Sequence, residues 1–539
     1  MTKKFLITLI VSLKCVFGLE FGGMGNVSAG MGGAGVALKN SPFALYYNPA
    51  LLSAENSVRF GYSVGVGLRE KNIDRIANID FGNFASSAER FIGTLAGATG
   101  GGSGGATGAV ASEFGKILDK ALTTSGATTG NTLEQKLESV KNGSVDVNTL
   151  IANIKQETQN STTLDSASKD LINNVAGNMD FGNISVDAKG NISGITLSFG
   201  GDAGMDQAVR DFQTLQDVLK ENALSITSQN GVAFQFAPAL FRGTLGTFGV
   251  GFFSSVYAST SIKTDPNRMD LILKNGSNYY KVNLDSGGFG YSQTTQTDYE
   301  EHSLAHALEL GNVHSVVART FWINEIPIGY AHTFYLKNVN LNFGISMRLM
   351  SASNAMSDIW LSTSTNIGDS AKKFATNQPF ETKTAIAVDL GTMVEIDLPN
   401  FQYLTFGFVA KNINTPTFRY ANSEIQIKPQ YRIGMAYNRS FFALAFDADL
   451  SKNDMLSDSF QRPYSQMIGG GAKFDIKVVD LRLGLMKDIR QDDGLILTGG
   501  LNILGFLDLA IQAGTALGEA QGYRFPRYLN IRLGGNFSF

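Results

Sequence analysis

One cysteine in 539 residues, Cys15, is too few for a disulfide framework or a thiolate metal site. Histidine is almost as scarce, with four, and only two tryptophans and eleven prolines occur. Neither charge sign dominates: 44 basic residues face 47 acidic ones, a formal net charge of −3. That balance excludes the polycationic footprint of a nucleic-acid binder. Apart from the N-terminus, no apolar run approaches the roughly 20 residues that a membrane-crossing helix needs. What the chain has in abundance is glycine, 60 residues, together with 37 Phe and 17 Tyr. With hydropathy near zero, that mixture suits strands with one wet face and one greasy face.

Residues 1–18 have the layout of a secretory signal peptide. Lys3 and Lys4 supply the positive start, residues 5–13 the apolar core, and Val16-Phe17-Gly18 a small-residue cleavage site before Leu19. Cys15 lies inside this segment, and Lys14 stands where a lipoprotein site wants a small residue, which argues against acylation. The expected mature chain is exported, has no cysteine and has no helical anchor.

From about Gly231 onward the apolar residues recur with period two. Leu341, Phe343, Ile345, Met347 and Leu349 alternate with Asn340, Asn342, Gly344, Ser346 and Arg348. Because side chains on a strand alternate between faces, one face meets an apolar medium and the other a polar one. Leu529, Ile531, Leu533, Phe537 and Phe539 repeat the rule at the end of the chain, as do Tyr431, Ile433, Met435 and Tyr437. Candidate strands fall near 58–68, 231–239, 247–261, 314–335, 339–351, 382–396, 401–412, 429–438, 441–451, 465–476, 480–489, 494–504, 506–516 and 527–539. Short connections, such as 242–246, 337–338, 399–400 and 439–440, alternate with long polar ones. The expected fold is all-β: a transmembrane antiparallel β-barrel of about fourteen strands in a bacterial outer membrane, with the long loops outside the cell. A soluble β-protein would also alternate. Against it stand runs of ten or so residues and charges on the polar faces (Arg348, Arg432, Asp447, Asp449, Arg482 and Arg532), which suit a wet lumen. The lipid of the outer membrane is the first expected partner. The barrel-assembly machinery, engaging the last strand that ends at Phe539, is the second.

Before the first strand comes a glycine-rich lead, 22–37, and then the turn Asn48-Pro49-Ala50. The glycines match phosphate-cradling patterns only by chance, because no strand and helix flank them. Such density suits a segment threaded where backbones pass closely. The run GGAGVALKNSPFALYYNPALLS resembles the N-terminal hatch of the FadL family of outer-membrane transporters for long-chain fatty acids and other hydrophobic compounds. The stretches FVAKNINTPTF, KPQYRIGMAYN and LRLGLMKDIRQDDGLILTGGLNI are more similar still to conjugal-transfer TraF-like proteins of the same superfamily. The resemblance covers roughly 19–70 and 231–539. It implies a fourteen-stranded barrel (57–539) plugged by a lumenal hatch at 19–56, with Asn48, Pro49 and Ala50 matching the hatch motif.

Residues 85–229 differ in kind. They contain no Pro, Tyr or Trp, include a Gly/Ser/Thr/Ala tract at 97–108, and hold ten basic and sixteen acidic residues. Helical spacing appears at Val110, Phe114, Ile117, Leu118 and Leu122, at Leu133, Leu137 and Val140, and at Val209, Phe212, Leu215 and Leu219. This helical insert is expected in the first extracellular loop, as a decorated loop or as a lid that binds a partner.

Little else suggests chemistry. His302 and His306, beside Glu300 and Glu301, could share a helical face, but no third metal ligand is evident, so no metal site is expected. Asp447 and Asp449 share one strand face, and pairing with Arg432 or Arg482 on neighbouring strands explains them better than catalysis. No serine elbow, phosphate loop or haem motif appears, so neither an enzyme nor a cofactor is expected. The expected function is a plugged channel or transporter for small hydrophobic compounds. The alternative is a non-transporting scaffold, accessory to conjugation or secretion, whose insert binds a partner.

Overall fold

The computed structural model describes residues 23–538 except 40, 55–56, 73–74, 76–105, 128–129, positions scattered through 165–221, 237–245, 276–277, 285–287, 363–379, 422, 456–463, 477 and 521. The expected signal peptide, Cys15, the helical spacing at 209–219 and Phe539 lie outside the described residues.

Fourteen strands form one closed antiparallel barrel. They are β1 (Arg59–Lys71), β2 (Ala223–Phe236), β3 (Thr247–Lys263), β4 (Ser315–Tyr335), β5 (Val339–Trp360), β6 (Glu381–Leu398) and β7 (Gln402–Lys411). The second half comprises β8 (Gln430–Arg439), β9 (Phe442–Asp449), β10 (Met467–Ile476), β11 (Val479–Asp488), β12 (Ile496–Ile503), β13 (Leu507–Gly514) and β14 (Tyr528–Ser538). Each strand pairs with the next in sequence, and β14 pairs with β1 to close the ring. Closure removes the free edges that lipid does not tolerate.

The alternation read from the sequence is the alternation of the wall. Phe343, Ile345, Met347 and Leu349 are exposed outward, while Asn342, Ser346 and Arg348 are buried inward. Every strand carries such outward apolar residues or a neighbour that does, with Leu483 65% exposed and Leu485 54% exposed. A continuous apolar exterior of this extent is tolerable only against lipid. Among the described residues no helix is long and apolar enough to cross a membrane, so crossing falls to the strands.

Strand ends depart from the sequence expectation in two places. The strand expected from 231 begins at Ala223, inside the expected insert (85–229), because β1 continues to Lys71 and pairs with it up to Ala223. The strand expected to end at 351 runs to Trp360. At 21 and 22 residues, β4 and β5 are about twice as long as a tilted strand needs to span a bilayer. Their outer halves therefore rise above the lipid, where the apolar alternation that marks a strand is no longer required.

The larger departure is in the loops. The insert forms helices α3 (Ala106–Thr124), α4 (Leu133–Lys141) and α5 (Val147–Asn160), numbered after two short helices of the hatch. Thr132 and Gln135 close a capping box at the start of α4, and the Asp146 carboxylate caps α5. The insert does not stand alone, however. Its strands Ser185–Val186 and Ile192–Ser198 join Gly288–Thr294, Asn278–Leu284 and Ile272–Asn275 of the loop between β3 and β4 in one five-stranded sheet. Leu118, Leu122, Leu150, Ile154 and Phe181 of the first loop share a core with Tyr280 of the second. One cap is thus built from two loops. The sequence marks the second loop only as polar, because its strands are short and their partners are distant in sequence.

Candidate functional site

Residues 23–39 and 41–54 lie inside the barrel, and nearly all of them are buried. The segment starts with α1 (Asn26–Gly30), continues through α2 (Ala44–Tyr47) and ends in the 3-10 turn Pro49–Ser53. It crosses the lumen from the β12–β13 wall, where α1 packs, to the β4–β6 wall, where Pro49–Ser53 packs.

An irregular segment this deeply buried must find partners for its backbone groups. The inward polar side chains of the wall supply them. Gln512 Nε2 donates to Ala29 O at 2.9 Å, and Thr498 Oγ1 donates to Gly30 O at 3.1 Å while accepting from Gly32 N at 3.0 Å. Thr405 Oγ1 donates to Ala37 O at 2.7 Å, Gln235 Nε2 to Leu52 O at 2.8 Å and Thr333 Oγ1 to Ser53 O at 2.9 Å. These wall residues were visible in the sequence only as the polar half of the alternation.

The hatch motif sits at the tightest contact. Asn48, fully buried, donates through Nδ2 to Val36 O at 2.9 Å and to Thr392 O of β6 at 3.1 Å. Its Oδ1 accepts from Ala50 N at 3.0 Å. One side chain thereby ties the turn to itself, to the earlier hatch backbone at Val36 and to the wall. Pro49 opens the 3-10 turn with its backbone angle preset. Gly344 and Gly391 face each other across β5 and β6, and a Cβ on either would overlap Pro49 or Asn48. Close backbone approach is why these wall positions are glycine.

All six inward charges read from the sequence are buried in the lumen, and partners surround them. Arg348 bridges Glu325 on β4 and Asp389 on β6, with Nε 2.9 Å from Asp389 Oδ2, and also donates to Asn412. Arg432 on β8 pairs with Asp449 directly across on β9, Nε to Oδ1 2.6 Å. Arg482 joins Asp508 at 2.6 Å and Asp480 at 3.2 Å. Arg532 has a different role: it donates to Gln229 O at 2.7 Å and to Ser63 Oγ at 3.3 Å, between β1 and β2. Asp447 grips the hatch. Its Oδ2 accepts from Gly35 N at 2.8 Å and Val36 N at 2.9 Å. The lumen expected to be wet is instead packed with hatch and paired charges.

Space remains on both sides of the hatch. Toward the long loops a cavity of about 60 Å³ lies between Gly33, Leu68, Met467, Met486, Tyr528 and Asp447. Toward the short turns a second, of about 250 Å³, lies between Val27, Leu38, Tyr403, Asn438, Phe442 and Lys473. Between them Met31, Ala34 and Ala37 pack against Ala436, Ala443 and Ala445 of the wall.

The histidines do not assemble. A helix break at Ser303 puts His302 at the end of α6 (Gln296–His302) and His306 in α7 (Leu304–Leu310). Their Nδ1 atoms sit 3.0 Å from the carbonyls of Asn267 and Glu300 respectively. Among the described residues no cluster of metal-ligating side chains occurs.

A closed fourteen-stranded antiparallel barrel, apolar outside and threaded by its own N-terminal segment, defines a transmembrane β-barrel. Residues 136–449, more than half of the chain, match the family described as "F plasmid transfer operon, TraF, protein", and the chain belongs to that family. Similar solved structures include the toluene transporter TbuX of Ralstonia pickettii, at 11% identity over 96% of this chain and 99% of that one, TM-score 0.38. The toluene transporter TodX of Pseudomonas putida is similar at 9% identity over 97% and 99%, TM-score 0.32. A FadL homologue of Pseudomonas aeruginosa is similar at 6% identity over 97% and 98%, TM-score 0.29. No curated protein matches the sequence.

Proposed function

We propose that this protein is a plugged channel of the bacterial outer membrane that admits small, largely hydrophobic compounds. The observation that carries the reading is the hatch itself: a segment held across the lumen with a cavity on each face. Its polar grip on the wall consists mainly of hydrogen bonds from wall side chains to irregular backbone, which can be exchanged locally while the closed barrel stays intact. Met467, Met486, Leu68 and Tyr528 give the outer cavity an apolar part, and the likeness of the hatch run to transporters of hydrophobic compounds supports the cargo class. The apolar exterior supports lipid as the surrounding partner. Insertion by the barrel-assembly machinery through the strand ending at Phe539 belongs to the same proposal.

Conductance across planar bilayers tests it. Full-length protein should pass little current, and protein lacking residues 23–54 should pass a steady, much larger one. Equal conductance of the two would remove the plug. Failure of either form to admit hydrophobic solutes into liposomes would remove the cargo.

A second reading rests on the cap. A two-loop unit with its own core exceeds what a loop needs to connect strands, and this supports a docking role in conjugation or secretion. Deleting α3–α5 separates the readings: loss of partner capture with uptake intact favours docking.

A further inference from the structure

We propose that the short-turn rim of the barrel is seated in the headgroup layer of the lipid leaflet it faces, held there by apolar side chains at the turns. The inference rests on the chain being a membrane barrel and goes beyond it, since lipid-facing strands alone would leave the turns in water.

Turns between strands are ordinarily built from Gly, Asn, Asp, Ser and Pro, which suit both the backbone and water. Each of the five described short turns, from β4–β5 to β12–β13, instead holds out an apolar side chain at or next to its tip. Leu336, Phe401, Phe441, Ile476, Leu504 and Phe506 are all more than half exposed. Phe401 is the extreme case, 94% exposed on left-handed backbone with a φ of 58°. Asn400 before it is also left-handed, and glycine is the usual residue after such an Asn. Leu504, with a φ of 54°, stands before the left-handed Gly505, where Asn is usual. Bulky residues are strained in this region. Neither side chain is buried by the fold, so the contact that offsets the strain lies outside the protein.

Two observations identify lipid as that contact. The tips recur on successive turns around the barrel rather than on one side, as a surrounding layer requires and a docked protein does not. They also continue the lipid-facing wall. Phe506 meets Phe537 edge-on at 5.3 Å, and Phe537 stacks on Phe60 at 6.2 Å across β14 and β1. Next to Phe441, Phe442 and Phe474 pair at 5.1 Å across β9 and β10. Aromatic rings gather where strands meet the membrane surface, and the tips lie just beyond these rings. The charges agree. Arg439, exposed on the outward face of β8, holds its guanidinium 5.7 Å from the Phe441 ring, and Lys337 is exposed in the β4–β5 turn. Both sit at the depth where lipid phosphates accept charge-assisted hydrogen bonds. The short-turn mouth thus opens among headgroups.

Tryptophan fluorescence of the full-length protein in phosphatidylcholine vesicles tests the proposal, with Trp322→Phe and Trp360→Phe removing the native signal. Phe401→Trp and Phe506→Trp then report the tips, Leu483→Trp the lipid-facing wall, and Leu310→Trp, in α7, the long-loop side. Lipid brominated high on its acyl chains should quench both tip reporters by about half or more, as it does Leu483→Trp, and leave Leu310→Trp bright. Acrylamide in the water should quench Leu310→Trp and spare the tips. Normal gel mobility of each unboiled variant shows that the barrel is folded. The proposal is overturned if acrylamide reaches both tips and brominated lipid does not, while Leu483→Trp is quenched; the turns would then stand in water, open to a protein partner. If Leu483→Trp is not quenched either, the membrane barrel itself falls, and the seat with it.

Discussion

The carboxylate of Asp447 accepts the backbone N–H of Val36 at 2.9 Å, joining residues 411 positions apart and fixing the middle of the hatch to strand β9. The same oxygen holds Gly35 N, while Asp447 Oδ1 has no hydrogen-bond partner. Replacing Asp447 with Leu strands two buried amides, at a cost of about 1–3 kcal/mol each. Amide exchange at Gly35 and Val36 should speed up and single-channel current should become more frequent. Arg432 keeps Asp449, so the barrel should still form.

Asn48 is the second tether. Asn48→Ala removes three hydrogen bonds and leaves Val36 O and Thr392 O without that donor. Loosening of the turn by about 1–3 kcal/mol per stranded group is expected. Limited proteolysis should then cut between 41 and 54 in protein whose unboiled gel mobility is normal. Protection equal to the unaltered protein would refute the tether.

The wall glycines offer the converse test. Valine is a good strand former, so Gly344→Val should leave strand β5 intact while its side chain overlaps Pro49 and Ala50. Displacement of the hatch, read as protease sensitivity with persistent conductance, is the expected result. A silent variant would show that hatch and wall do not meet there.

Arg348 holds the lumen together differently. With Glu325 and Asp389 buried on either side, Arg348→Met removes the guanidinium that both carboxylates face and should cost about 3–5 kcal/mol. The triple variant Arg348→Met, Glu325→Gln, Asp389→Asn should recover most of that loss, because the charges leave together. Midpoints of urea unfolding in lipid vesicles measure both.

Acid should loosen the joint between cap and barrel. His314 precedes β4, beyond the lipid-spanning part of that long strand, and is almost fully buried. Burial lowers its pKa from the usual imidazole value, and its Nδ1 accepts from Asp265 N at 3.3 Å. The unfolded joint therefore binds the proton more readily than the folded one. Stability from this residue is present above about pH 6.5 and is lost as pH falls below it. Protection from hydrogen exchange at 264–270, corrected for the intrinsic pH dependence of amide exchange, should fall between about pH 7.5 and about pH 5, and the fall should shrink in His314→Gln.

The strands were legible because their signal is local. A strand between lipid and lumen needs period two over about ten residues, and Leu341 to Leu349 state it without reference to any partner. The sequence by itself therefore determined a barrel of fourteen strands, its inward charges, and a lead with the hatch motif at Asn48. It could not say that Asp447 holds a backbone amide while Asp449 holds Arg432, since both are aspartates on one face. Nor could it say that Tyr280 shares a core with Leu118. Those outcomes belong to the tertiary structure alone. They depend on which residues closure of the ring brings within 3 Å, and hydrogen bonds and desolvated charges are decided at that range.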